Sequence, residues 1–206
     1  MILCLEIATY GSDLSNPRCS TTCKIAKIKS SEPSMQPEVF SSAGQTRTKI
    51  RVLFVCLGNI CRSPLAESVF QKLVNARNLH ELVEADSAGT GSWHVGALPD
   101  PRARNVAERH HAPTTHRARQ IISKDFQTFD HIVALDNSVK DSLLRWNGTD
   151  PTRISLMMDW VPDQVGADVP DPYYGELNDF ELVYEMVLPA CEKLLDECER
   201  TVRIIA

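Results

Sequence analysis

A chain of 206 residues with 43% hydrophobic content is long enough for one sizeable buried core. Its net charge of -5 excludes the basic surface of a nucleic-acid binder. No segment approaches the run of about 18 apolar residues that a membrane span needs, and seven irregularly spaced cysteines exclude a disulfide scaffold and favour a reducing compartment.

Residues 1–49 are rich in Ser and Thr, carry Pro17, Pro33 and Pro37, and show no sustained helical or strand period beyond the first eight positions. They are expected to form a disordered extension. Arg18, Lys24, Lys27 and Lys29 among many hydroxyls also suit an organellar targeting segment, against which Glu6, Asp13, Glu32 and Glu38 count. The apolar opening lacks a basic leader and contains Glu6, so export is not expected.

Ordered structure is expected from Ile50, where "IRVLFV" has the length and β-branched content of a buried parallel strand. Leu65, Ala66, Val69, Phe70, Leu73 and Val74 then recur at three-to-four spacing, predicting a helix with Pro64 in its first turn. Strands are predicted at 82–88, 129–135 and 153–160, and helices at 101–110 and 137–146. "NGT" at 147–149 reads as a turn rather than a glycosylation acceptor. The closing segment places Phe180, Tyr184, Val187, Leu188, Cys191, Leu194, Leu195 and Cys198 on one helical face, with Pro189 expected to kink it. His110 and His111 are expected as solvated cations at a helix end.

Strands alternating with helices demand a parallel sheet covered on both faces, with ligands taken at the carboxyl ends of strands. "VCLGNICRSP", residues 55–64, begins at such an end. Between Cys56 and Arg62 the chain turns from strand to helix, so successive backbone N–H groups can converge on one anion. The helix N-terminus adds partial positive charge that favours the thiolate form of Cys56. Gly58 is expected to supply unusual backbone angles, and Asn59 tolerates the left-handed region. Arg62 offers a planar fork for two phosphoryl oxygens, and Ser63 a hydroxyl for the sulfur. Cys56 and Cys61 can also be read as a metal half-site, a redox pair or inert buried thiols, but no second cysteine pair or histidine cluster accompanies them. Read alone, Asp171 between Pro170 and Pro172 is turn chemistry; alongside the cysteine loop it becomes a candidate acid. Tyr173, Tyr174 and Trp93 are candidate walls of a slot for a flat ring, with core packing as the rival reading.

"VLFVCLGNICRSP" and "DPYYG" resemble the two signatures of the low-molecular-weight protein tyrosine phosphatases, and "SWHVG", "DPRA" and "HRARQI" follow in the family's order. The resemblance covers residues 50 to about 200. It implies Cys56 as nucleophile, Arg62 as phosphate clamp and Asp171 as general acid and then base. Leu57, Gly58, Asn59, Ile60, Cys61, Arg62 and Ser63 would form the phosphate loop. Trp93, His94, Tyr173 and Tyr174 would form the substrate pocket, His94 standing where the family often has asparagine or another polar residue. Ser87 and His116 would brace the loop through Asn59 and Ser63, and Asp136 would orient the acid loop.

The expected protein is therefore a single flavodoxin-like α/β domain over residues 50–206, with a four-stranded parallel sheet and helices on both faces. It is expected to hydrolyse phosphotyrosine in proteins, without metal or other cofactor, as a cytoplasmic monomer that binds neither nucleic acid nor membrane. An arsenate reductase would need relay cysteines, which are missing between Cys61 and Cys191. Relatives acting on phosphoarginine carry Thr where Ile60 stands and lack the paired tyrosines. A silent phosphoprotein reader would be expected to lose Cys56, Arg62 or Asp171. Cys61 so near Cys56 also implies inactivation by peroxide and recovery with thiol.

Overall fold

Apolar residues of both parities in Ile50–Cys56 force this segment into the middle of a sheet covered twice over. As β1, it sends Val52, Phe54 and Cys56 to one face and Leu53 and Val55 to the other. The computed structural model describes residues 49–205, and the expectations for residues 1–48 lie outside the described residues. β1 is followed by α1 (Arg62–Ala76), β2 (Val83–Gly89), α2 (Pro101–Arg109), α3 (Asp125–Thr128) and β3 (His131–Ala134). α4 (Asn137–Leu144), β4 (Ile154–Leu156) and α5 (Leu177–Ile205) complete the order, with three short 3₁₀ turns before α5.

All strands are parallel, in the order β2-β1-β3-β4. The chain leaves β1 toward β2 and returns on the other side to β3. The carboxyl ends of β1 and β3 therefore flank a crevice that no connection crosses, and this is the switch point of a flavodoxin-like sheet. Cys56 is the last residue of β1 and stands at that crevice.

The two faces have separate cores. On the first, Phe54 meets Phe70 of α1 edge-on at 5.5 Å between centroids, and Leu65, Val69, Phe180, Val187 and Leu194 close around them. On the second, Leu53, Val55, Ile132 and Leu156 pack against Ile121, Phe126, Val139 and Leu143. Full burial of each large side chain contributes roughly 2–3 kcal/mol, so the β1 sandwich supplies much of the cohesion that holds the crevice rigid.

Several expectations are corrected. The strand expected over 153–160 lasts only for Ile154–Leu156, because Asp159 accepts the backbone N–H groups of Leu156 and Gly166 and coils Met157–Trp160 into a 3₁₀ turn. The inner face of α5, a helix that contains Pro189, includes Val183 and Ala190, while Leu188 is only half-buried. His110 is no free cation: its ring stacks on Tyr184 at 3.6 Å and its Nε2 lies 2.7 Å from Glu181. His111 is exposed at a φ of 55°. α3 was not foreseen.

Candidate active site

The loop after β1 closes tightly around sulfur. Asn59 N–H donates to Cys56 Sγ at 3.2 Å, and Ser63 Oγ lies 3.0 Å away. Asn59 Nδ2 donates into Ser63 Oγ at 2.9 Å, and the serine hydroxyl faces both the sulfur and, at 3.4 Å, Ala88 O. The left-handed residue is Asn59, with φ of 55°. Gly58 does not take a positive φ, which corrects its expected role; a Cβ there would lie 3.2 Å from His94 Cδ2, a tight contact with a side chain that is itself half-buried. Gly89 on β2 is needed for close approach, its missing Cβ leaving room for Leu57 O at 2.9 Å.

Asn59 is fully buried, and its amide works as a four-way brace. Nδ2 donates to Ser63 and Ser87, while Oδ1 accepts from Arg119 N–H and His116 Nε2, each at 2.8 Å. Ser87 and His116 thus reach the loop through Asn59, and Ser63 is held by Asn59 rather than by either of them. Behind the brace, Glu67 Oε2 takes Ser87 Oγ at 2.7 Å and lies 3.0 Å from His116 Nδ1. Glu67, Asp86 and His116 bring three ligand-type atoms within 4.8 Å, the one such group among the described residues. These atoms are engaged by Ser87, Arg119 and one another, and they serve the loop from behind.

Arg62 opens α1 and is 3% exposed. Its Nη1 donates to Asp136 Oδ2 at 2.6 Å and to Val169 O at 3.1 Å, and its Nη2 to Asp171 Oδ2 at 2.9 Å. Asp136 therefore orients the arginine directly, and meets the acid loop only through Arg62 and Val169. The same carboxylate caps α4, accepting from Val139 N–H and Ser138 Oγ at 2.7 Å each. Burial opposes its ionisation, but the bonds from Ser138, Val139 and Arg62 outweigh burial and hold it below the usual carboxylate range. A depressed folded value means stability that is complete above the unfolded value and lost as pH falls through the folded one. Asp136→Asn keeps a cap but removes the charge beside Arg62, and is expected to cost about 3 kcal/mol near neutral pH. Denaturant melts from pH 7 down to pH 3 should show that difference shrinking in acid.

A cavity of about 380 Å³ opens over the sulfur. Its floor is Cys56, Leu57, Gly58, Ile60, Cys61 and Arg62; its walls are Trp93, His94, Tyr173 and Tyr174; Asp171 stands at its edge. Asn59 and Ser63 lie beneath the floor. Trp93 is 73% and Tyr174 97% exposed, which decides against core packing for both. Tyr173 and Tyr174 meet edge-on at 4.9 Å, leaving an upright aromatic wall. Cys61, beside the sulfur in the loop, is driven far upward by burial and by Asp100, so it stays a thiol at neutral pH.

Sequence reasoning missed Asp100 and Arg102. Asp100 caps α2 through Arg102 N–H and donates its own N–H to Ile60 O at 2.8 Å. The Asp-Pro pair before a helical pattern is an N-cap signature, but nothing in the local sequence shows what the arginine reaches.

Fold and loop together narrow the class to α/β phosphatases that work through a cysteine. Residues 51–204 match the family model described as low molecular weight phosphotyrosine protein phosphatase, and the chain belongs to that family. The human low molecular weight phosphotyrosine protein phosphatase is 44% identical over 149 residues, covering 71% of this chain and 94% of the human one. The crystal structure of a protein tyrosine phosphatase from Entamoeba histolytica superposes with a TM-score of 0.71 at 39% identity, covering 74% of this chain and 99% of that one. A Drosophila arginine phosphatase gives a TM-score of 0.65 at 34% identity over 72% of this chain and 97% of its own.

Proposed function

We propose that this chain hydrolyses phosphotyrosine in proteins through a phosphocysteine intermediate. The observation that carries the reading is one cavity with Cys56 Sγ and Arg62 at its base, Asp171 at its edge, and aromatic walls suited to a phenyl ring. Cys56 thiolate attacks phosphorus and the P–O bond to the phenol breaks, the leaving oxygen taking its proton from Asp171. The Asp171 carboxylate then removes a proton from water as that water attacks phosphorus and the bond from phosphorus to Cys56 Sγ breaks, releasing phosphate and restoring the thiolate. Arg62 and the amides at the start of α1 neutralise the phosphoryl oxygens in both steps. No step calls on a metal ion or other cofactor. The domain of residues 50–206, the cytoplasmic setting and the monomeric state expected from the sequence belong to the same proposal.

The solved arginine phosphatase gives a second reading, dephosphorylation of phosphoarginine. Ile60 on the floor and the paired tyrosines at the wall favour the flat, apolar phenyl ring instead. Incubating the full chain with phosphotyrosine and phosphoarginine peptides of one sequence, in excess chelator, separates the two. Phosphotyrosine is expected to be turned over at least about 100-fold faster in kcat/KM. The reverse order would transfer the assignment to phosphoarginine. Peptide binding without release of phosphate would identify a reader.

A further inference from the structure

The acid loop is held by a residue outside the cavity, and we infer that Arg102 of α2 is a positioning residue that fixes Asp171 over the phosphate loop. The inference rests on the role proposed for Asp171. Arg102 Nε and Nη2 grip the Asp100 carboxylate bidentately at 2.9 and 2.8 Å. The rest of the fork faces the segment that carries the acid: Nη1 donates to Gly175 O at 2.6 Å and Nη2 to Tyr173 O at 2.9 Å. The guanidinium carbon lies 4.6 Å from the centroid of Phe180, the buried residue of the first turn of α5.

These bonds matter because of where their far ends lead. Asp100 N–H donates to Ile60 O within the phosphate loop, so Ile60, Asp100, Arg102 and Tyr173 form one continuous tie from floor to wall. Tyr173 receives Arg102 on its carbonyl and gives its own N–H to Asp171 Oδ1 at 3.2 Å. Fixing Tyr173 therefore fixes one oxygen of Asp171, while Arg62 holds the other. The remaining hydrogen bonds of residues 172–176 are internal or run into α5: Gly175 N–H to Pro172 O, and Glu176 N–H to Asp179. Among the described residues, Arg102 alone ties this segment by hydrogen bonds to another part of the fold. Its planar fork meets Asp100 and two carbonyls at once, a pattern that the point charge of a lysine cannot reproduce.

A positioning role for the acid differs from a merely structural one in its dependence on the leaving group. A phenolate of high basicity needs the proton in the transition state, whereas dinitrophenolate departs without it. Full-length wild type, Arg102→Lys, Arg102→Met and Asp171→Asn are compared in kcat/KM for phenyl phosphate and dinitrophenyl phosphate. Arg102→Met keeps an apolar stem against Phe180, and Arg102→Lys carries the test if that variant does not fold. Both Arg102 variants are expected to lose roughly 10- to 100-fold on phenyl phosphate and less than about threefold on dinitrophenyl phosphate, with the alkaline limb of the phenyl phosphate profile flattened. Equal losses on the two substrates, no loss, or full activity in the lysine variant would each overturn the inference. Asp171→Asn separates the two failures. If it is selective for phenyl phosphate and the Arg102 variants are not, only the role of Arg102 falls. If it shows no selectivity itself, the assignment of the acid falls.

Discussion

Replacing Cys56 by serine is expected to abolish turnover of any aryl phosphate while phosphate still binds. Serine is nearly isosteric, and the donors around the sulfur, Asn59 N–H and Ser63 Oγ, can serve an oxygen in its place. The cradle does not depend on the thiol either: Asn59 keeps its four side-chain hydrogen bonds and Arg62 stays paired with Asp136. What is lost is a nucleophile that forms an anion far more readily than a hydroxyl does, and among the described residues no basic side chain is hydrogen-bonded to Cys56 Sγ to activate a serine there. Loss of a nucleophile acting within a preorganised site costs on the order of 10⁴- to 10⁶-fold in kcat. Inorganic phosphate should still bind the variant, with a Kd within about threefold of the wild-type inhibition constant. Stability should change by no more than about 1 kcal/mol, since one atom changes and its partners remain. Residual turnover above that range would place the nucleophile elsewhere.

The first half of the site was legible because it is local. An apolar run, a ten-residue loop motif and a 3.6-residue period sit side by side in the sequence, and β1, the loop and α1 fold as one uninterrupted segment. Asp171 could be reached from the sequence only by its partnership with that loop, since Asp-Pro on its own describes a turn. The bracing residues were legible only as resemblance: Asn59 meets Ser87 and His116 across separations of 28 and 57 positions, and no periodicity records such meetings. Arg102 shows the limit more sharply. Its place on α2 names no partner, yet its fork spans to carbonyls 71 and 73 residues away. The short β4 was misread for the opposite reason, because apolar Met157 and Met158 are fully buried in a 3₁₀ turn that hydropathy cannot tell from a strand.

Asp171→Asn is expected to lower kcat/KM for phenyl phosphate about 10²- to 10³-fold while sparing kcat/KM for substrates whose leaving group needs no proton. Two carboxylates contact Arg62, and geometry chooses between them. Asp136 is 14% exposed at its side chain, caps α4 and faces away from the aromatic slot. Asp171 is 44% exposed, lines the slot beside Tyr173 and Tyr174, and so is the carboxyl that a phenolic oxygen leaving phosphorus can meet. Asparagine retains one oxygen for Tyr173 N–H, so the loop should keep its place, while its amide nitrogen faces Arg62 Nη2 and that ion pair is lost, Arg62 staying bound to Asp136 and Val169 O. The pH profile adds an independent readout. Wild-type activity on phenyl phosphate should fall on the alkaline side wherever the reaction needs a general acid, and the variant should lack that limb. Hydrolysis of the phosphocysteine intermediate loses its base in the same substitution, so rapid-quench experiments should find phosphoenzyme accumulating with activated substrates. If the variant instead loses equally on every leaving group and keeps its alkaline limb, the proton comes from another group, and Asp171 serves Arg62 alone.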